Sequence, residues 1–420
     1  MVIMRHRLPR SAAFRSGGAA LVLGLVIAPL AVAGSAVAAP DPALDGLLAK
    51  RLDNPRLGSH VGLVVMDAAT GEVLSDHGAN EPLLTASNMK IVTAVSALAT
   101  MPPETRFTTK VRAGAAPADL VLQGGGDPLL STKDLQKLAK QVATTLPAGT
   151  AVTVHVDDSL FPTTGRARGW PAQYIPSVAA PVQALARIWD YSHDPSANAA
   201  TVFAKELTAR GLVAAVGEDA SAGEAPVLAE SEGHTLGDAV RVMLSISENN
   251  VAEVLHRHVA IAAGQPATWA GAQAATEQVL RNLGVDPTGM ALMDGSGLSR
   301  KNRVSPTLLA NVLRVARVTN PGPFTTMFED GAMPLAGKSG TLDDHYGRFV
   351  TKHARCAQGA VKAKTGTLFD TIGLSGIAQR ADGTERIFSI LVNDRPQRFS
   401  ELSTRQAVDG LAATVVGCWN

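Results

Sequence analysis

The chain has 420 residues, enough for two or three domains with sizeable cores. At 46% hydrophobic and 18% charged it has ordinary globular composition, which excludes a disordered or collagen-like chain. Its net charge is +1 with no basic stripe, which speaks against nucleic acid as a partner.

Residues 1–39 begin with the basic "MRHRLPR", continue as an uncharged run from Ser16 to Ala39 and close on "SAVAAP". A basic flank, an apolar stretch and an Ala-Val-Ala pattern predict a secretory signal peptide, cut after Ala38 or Ala39. A retained membrane anchor is the alternative, since the run is about long enough to span a bilayer. Gly24, Pro29, Gly34 and the small residues at its end favour cleavage, and so a chain with no obligatory membrane span. Either way the folded part is expected outside the cytoplasm: secreted, periplasmic or in the cell wall. Losing Arg5, Arg7, Arg10 and Arg15 takes the basic count from 38 to 34 against 37 acidic residues, a balance of −3. Cys356 and Cys418 then meet an oxidising compartment, where a disulfide is expected to tie the C-terminal segment to the region before "KTGT".

After the leader, "LDGLLAKRL" predicts a short amphipathic helix. Val61–Met66 and Glu72–Ser75 form a hairpin around Thr70-Gly71. A strongly apolar helix follows Ser87. From Met101 the texture changes: Pro102-Pro103 interrupt, and the strands "RFTTKVRAG" and "ADLVLQG" alternate with Gly- and Pro-rich turns. "DLQKLAKQVATTL" reads as a helix, "TAVTVHVDDSLF" as a strand, "NAATVFAKELTARG" as a helix and "GEDASAGEAP" as a loop. Residues 103–229 are therefore expected to be an inserted module that splits one catalytic domain into 40–102 and 230–420. "HTLGDAVRVMLSISENNVAEVLHRHVA" gives two helices joined at Ser247–Asn250, and more helices run through "TLLANVLRVARV". "VKAKTGTL", "TIGLSGIAQR" and "ERIFSILVND" predict three antiparallel strands, and a last helix covers Ser400–Val416. The expected fold is α+β: an antiparallel sheet of N- and C-terminal strands flanked by helices, with Ser87 at its edge.

Three short motifs carry chemistry. In "LLTASNMKIVTAVSALAT", Ser87 and Lys90 share a helix face at (i, i+3), so the lysine nitrogen can reach the hydroxyl. If burial and a second cation keep Lys90 neutral, it can take the hydroxyl proton and make Ser87 a nucleophile. A capping serine beside a snorkelling lysine is the competing reading. "KTGT" at Lys364–Thr367 opens a predicted edge strand, where an ammonium, a hydroxyl and a glycine would suit a substrate carboxylate and a close-lying substrate backbone. A second copy, "KSGT" at Lys338–Thr341, runs into the polar Asp343, Asp344 and His345, so Lys364 is preferred. "SEN" at Ser247–Asn249 sits on the joint between two helices. The other Ser-x-Asn, Ser196–Asn198, precedes an amphipathic helix and reads as an N-cap.

In this order, the three motifs match the Ser-x-x-Lys, Ser-x-Asn, Lys-Thr-Gly set of penicillin-binding proteins and class A β-lactamases. The sequence resembles the class C low-molecular-mass penicillin-binding proteins, the D-Ala-D-Ala carboxypeptidase/endopeptidase family of the DacB kind (peptidase S13). The supporting stretches are "LTASNMKIVTA", "DLVLQGGGDPLL", "VDDSLF", "SISENNVAEVL", "MDGSGLSRKNRVSP", "SGTL" and "VKAKTGTL", which span nearly the whole chain after the leader. Glu248 stands where family members often have Asp. The resemblance implies the serine β-lactamase/penicillin-binding-protein fold and a D-alanyl-D-alanine carboxypeptidase, possibly also a D,D-endopeptidase, on peptidoglycan stem peptides. It implies Ser87 as nucleophile, Lys90 as base, Ser247 as proton relay to the leaving D-alanine and Asn249 as a holder of the stem. Lys364 and Thr365 would bind the terminal carboxylate, and the Gly366-Thr367 backbone would line the scissile bond, with the N–H groups of Ser87 and Thr367 as oxyanion hole. β-Lactams should acylate the same serine.

The alternatives are a β-lactamase, which needs no such insertion, and a non-catalytic wall-binding relative, in which the reactive positions need not all be filled. No metal and no cofactor is expected: His-Glu-x-x-His and paired-Cys spacings are missing, and "HRH" at His256–His258 reads as a helix surface. "QGGGD" lacks the Gly-Lys-Ser/Thr of a phosphate loop, there is no Gly-x-Ser-x-Gly elbow, and "DGSGLS" is assigned a loop role.

Overall fold

The computed structural model describes residues 41–419, so the predicted leader lies outside the described residues. Helix α1 (Pro42–Leu52) starts where Asp41 accepts from the Leu44 N–H and Pro42 takes the first helical position, which needs no N–H donor. Strands β1 (His60–Asp67) and β2 (Val73–His77) form the predicted hairpin. Helix α2 (Met89–Thr100) is buried at every position from Met89 to Leu98, as its unbroken apolar run requires.

The chain then leaves for a second sheet. Strand β3 (Arg106–Phe107) leads to β4 (Lys110–Ala113), β5 (Asp119–Gln123), helix α3 (Thr132–Ala143), β6 (Ala151–Asp157), helix α4 (Pro195–Thr208), β7 (Val213–Val216), β8 (Val227–Glu230) and β9 (His234–Thr235). The order is β7-β6-β5-β4-β8, with β5–β6 and β6–β7 parallel and the β4 pairings antiparallel. Helical crossovers through α3 and α4 make the parallel pairs possible, since parallel neighbours cannot be joined by a hairpin. Val111, Leu122, Leu135, Leu138 and Phe203 form a core separate from the rest. Arg106 pairs with Thr235 and Phe107 with His234, so the chain leaves and re-enters the first sheet's helices at one place.

Helices α5 (Leu236–Ser245), α6 (Asn249–Ala262), α7 (Trp269–Asn282) and α8 (Pro306–Arg314) follow, then β10 (Val361–Leu368), β11 (Thr371–Gln379), β12 (Glu385–Asn393) and α9 (Glu401–Val416). The main sheet is antiparallel throughout, ordered β10-β11-β12-β1-β2, so N- and C-terminal strands meet as expected. Its side chains alternate with period two. Val64, Met66, Ile387 and Leu391 enter the core under α2, α5, α6 and α8, while Leu63, Val65, Phe388 and Ile390 enter the core with α1 and α9. With helices on both faces, β11 and β12 read as nearly continuous apolar runs. The expected disulfide is present, with Cα atoms of Cys356 and Cys418 5.9 Å apart across a separation of 62 residues.

Two expectations need correction. His256, Arg257 and His258 are not surface: they are 1%, 1% and 7% exposed. Helix α6 packs against α2, α5 and α7. The His258 Nε2 also lies 2.8 Å from the Gly126 carbonyl, and the Arg257 guanidinium lies 3.7 Å over the Trp269 ring. Enclosure on several sides overrode the polarity of the triplet. Ser196 is not an N-cap either. Asp194 caps α4, and the Ser196 hydroxyl donates to Asp158 and to the Leu185 carbonyl from inside the first turn.

Candidate active site

Ser87 lies in a single 3₁₀ turn, Ala86–Asn88, that runs into α2. The turn is tight: Ala86 has φ +45°, an unusual conformation for a residue with a Cβ. Two glycines make room for it. A Cβ on Gly297 (φ +86°) would come within 1.9 Å of the Ala86 carbonyl oxygen. A Cβ on Gly366 would lie 2.5 Å from the Asn88 amide and 2.7 Å from the Thr85 carbonyl. The glycine of "KTGT" therefore serves to seat the Ser87 turn against β10, a use the sequence reading had given to a substrate backbone. Gly297→Ala is expected to displace the turn and cut serine acylation by labelled penicillin at least tenfold, checked by gel fluorescence at equal folded protein.

Lys90 is fully buried and makes three hydrogen bonds: to the Ser87 Oγ at 3.0 Å, the Asn249 Oδ1 at 2.8 Å and the Ser296 carbonyl at 2.9 Å. These use all three donors of an ammonium. In the neutral amine, the Asn249 Oδ1 and the Ser296 carbonyl oxygen can only accept, so they keep the two N–H groups. The tetrahedral lone pair then points at the Ser87 hydroxyl. Burial lowers the Lys90 pKa to about 8, with Glu253, Glu248 and Asp294 opposing the fall. A useful fraction of the amine is therefore neutral near neutral pH.

Lys364 is also fully buried and donates to the Thr365 carbonyl at 2.9 Å. Burial, and then the charge of Lys90, push its pKa well below the ordinary lysine value.

Ser247 holds a left-handed φ of +63° at the α5–α6 joint and faces the cleft. Glu248 caps α6, accepting from the Val251 N–H at 2.7 Å and from the Tyr191 hydroxyl at 2.8 Å. Asn249 is engaged at both ends, since its Nδ2 donates to the Val178 carbonyl at 2.9 Å.

Ser87, Ser247, Asn249, Thr341, Thr365 and Thr367 line one cleft of about 590 Å³. Thr341 and Thr365 share a hydroxyl hydrogen bond of 2.7 Å, so the passed-over "KSGT" lends its last residue to the same wall. Arg405 from α9 donates to the Thr367 Oγ1 at 3.1 Å and is paired with Glu401. The opposite wall comes from the long β6–α4 connection through Tyr174 and Val178. That connection is bound to the α6 side by Trp170 Nε1 donating to Asp294 at 2.6 Å and Ala180 N–H donating to Asn250 at 2.9 Å.

The three motifs thus converge on one cleft. Thr341, Arg405, the Ser296 carbonyl and the Tyr174–Val178 wall had no assigned role. "SGTL" and "DGSGLS" were the available signals for two of these; nothing in the sequence marks the others.

Comparison with known proteins decides the family. The D-Ala-D-Ala carboxypeptidase 3 (S13) family model matches residues 44–187 and 175–415. The chain belongs to that family. The S13 chain is 32% identical to carboxypeptidase DacB of Mycolicibacterium smegmatis over 91% of its own length and 86% of the relative's. It is 28% identical to a D-alanyl-D-alanine carboxypeptidase of an Actinomadura species, over 92% and 89% of the two chains. In fold it is similar to crystalline penicillin-binding protein 4 (dacB) of Haemophilus influenzae, with TM-score 0.76, 19% identity and coverage of 89% and 98%. The α+β penicillin-binding-protein fold expected from sequence is therefore the one found.

Proposed function

We propose that this S13 protein is a serine D-alanyl-D-alanine carboxypeptidase that acts on peptidoglycan stem peptides outside the cytoplasm. The single observation that carries the reading is Lys90 Nζ at 3.0 Å from Ser87 Oγ, with its other two donors committed elsewhere. Neutral Lys90 takes the hydroxyl proton as Ser87 Oγ attacks the carbonyl of the penultimate D-alanine. The oxyanion collects charge opposite the Ser87 and Thr367 N–H groups, where one donor is often worth about 3 kcal/mol. The C–N bond breaks, a proton reaches the amine through Ser247, and D-alanine leaves. Water then attacks the acyl-serine and frees the shortened stem.

The terminal carboxylate of the substrate would lie along the Thr365 and Thr367 hydroxyls. Its negative charge would favour the ammonium of Lys364, whose pKa burial and the Lys90 charge lower in the free protein. A β-lactam would open its ring on Ser87 in the same way and hydrolyse slowly. A structurally similar predatory endopeptidase from Bdellovibrio bacteriovorus has been solved acylated by penicillin G, at TM-score 0.55. Export is supported by the leader-like residues 1–39 and by the disulfide.

Residues 41–420, incubated with an Nα-acylated stem peptide ending in D-Ala-D-Ala, should release one D-alanine per peptide. With fluorescent penicillin they should give one stable covalent label. Rapid penicillin hydrolysis without a stable label would instead mark a β-lactamase, and failure of both reactions would leave a wall-binding relative.

A further inference from the structure

Lys90 owes its orientation to two acceptors, and one of them, the Ser296 carbonyl, belongs to a loop with no regular structure. What holds that loop is a carboxylate the catalytic motifs do not include. Glu253 is fully buried on α6, one turn beyond Asn249. Its Oε2 accepts from the Gly295 N–H at 3.0 Å and its Oε1 from the Ser296 N–H at 2.8 Å. The carbonyls of the same two residues accept from α2: Gly295 from Thr93 Oγ1 at 2.6 Å and Ser296 from Lys90. The backbone at 295–296 is thus strung between a carboxylate on α6 and two donors on α2.

We infer that Glu253 is the positioning residue for the base: it fixes the Gly295–Ser296 backbone so that one Lys90 donor is taken and the lone pair is left facing Ser87, and it sets a carboxylate against the lysine's charge. The inference rests on the reading of Lys90 as the base. Neighbouring charges single Glu253 out. Asp294 accepts from Gly297 N–H, Ser299 N–H, Asn302 Nδ2 and Trp170 Nε1, so its charge is met by four donors. Glu253 has only the two backbone donors and, among the described residues, no cation within salt-bridge distance. Arg257, one turn further on α6, faces the Trp269 ring and Thr164, so it makes no ion pair with Glu253, although its charge works to lower the Glu253 carboxyl against the effect of burial. The carboxylates acting on Lys90 are therefore Glu253 on α6, Glu248 at the α6 N-cap and Asp294 from the loop, while Lys364 on β10 is the buried cation whose own pKa the Lys90 charge lowers. Burial, then Asp294, raise the Glu253 carboxyl to about 7, so it is ionised on the alkaline side where Lys90 titrates.

The test is the pH profile of the second-order rate of penicillin acylation. In the wild type this rate should rise through an acid limb near 8 as Lys90 loses its proton. Glu253→Gln removes the charge that favours the ammonium, so the limb should move to lower pH by about one unit. The plateau should fall about tenfold, because a carboxamide can accept from only one of the two N–H groups. Glu253→Asp keeps the charge on a shorter arm, so its plateau should fall while its limb stays put. A limb at the wild-type pH in Glu253→Gln, or a shifted limb in Glu253→Asp, overturns the inference. If Glu253→Gln fails to fold, Glu253→Asp alone retains that power. A wild type that labels with no acid limb overturns the reading of Lys90 itself, and this inference with it.

Discussion

Ser87→Ala is expected to abolish stable penicillin labelling and to slow D-alanine release by a factor on the order of 10⁵, since removing a serine nucleophile leaves only binding and oxyanion stabilisation. Folding should be untouched. Ser87 is half-buried, and among the described residues the only side chain bonded to its hydroxyl is Lys90, which retains Asn249 and Ser296 as acceptors. The urea midpoint should therefore shift by no more than about 1 kcal/mol in free energy. Mass spectrometry after penicillin treatment checks the first part and urea unfolding followed by tryptophan fluorescence the second. A normal label on the alanine variant would show that another nucleophile carries the chemistry.

Asp409→Asn should produce the largest loss of stability. Arg348 and Asp409 are 3% and 0% exposed. The carboxylate receives Arg348 Nη2 at 2.5 Å, Arg348 Nε at 3.1 Å and the Phe349 N–H at 2.9 Å. Phe349 has φ +52°, a strained conformation for a bulky aromatic that the Asp409 bond helps hold. Asparagine leaves a buried guanidinium without its counter-charge, a loss of about 3–5 kcal/mol when one partner of such a pair is removed. Replacing both partners by hydrophobic residues of similar volume, Arg348→Met with Asp409→Leu, should recover only part of it, because the desolvation penalty disappears with the charges but the Phe349 N–H loses its acceptor. Urea unfolding of the three proteins decides. A single variant within 1 kcal/mol of wild type would mean that the pair contributes little. Arg348 also borders the cleft, so labelling of Asp409→Asn should fall with temperature earlier than that of wild type.

Local patterns carried much of this protein. The apolar run after Ser87 pointed to a buried helix, and the (i, i+3) spacing puts Lys90 within reach of Ser87, while a capping serine beside a snorkelling lysine stayed open until the 3.0 Å contact was seen. Apolar runs separated by short turns gave β10, β11 and β12, and two cysteines read with an expected leader gave the disulfide. The parallel pairing of β5, β6 and β7 was not legible, because each strand reads alike whether its neighbour runs parallel or antiparallel. Nor was the burial of His256–His258, since a polar triplet on a helix carries no record of how many neighbours enclose it.

The sequence by itself determined which reactive side chains exist and which lie together by local spacing: Ser87 near Lys90, Ser247 near Asn249 at a joint between helices, and Thr365 beside Lys364. Only the tertiary structure decided that Lys90 is oriented by Asn249 and the Ser296 carbonyl, that Thr341 joins Thr365, and that Glu253 holds the loop between them. Hydrogen-bond partners within a turn follow from helix and strand periodicity. Partners 24 to 206 positions away follow from where whole elements pack, and a lysine's charge depends on the burial and the carboxylates that packing supplies.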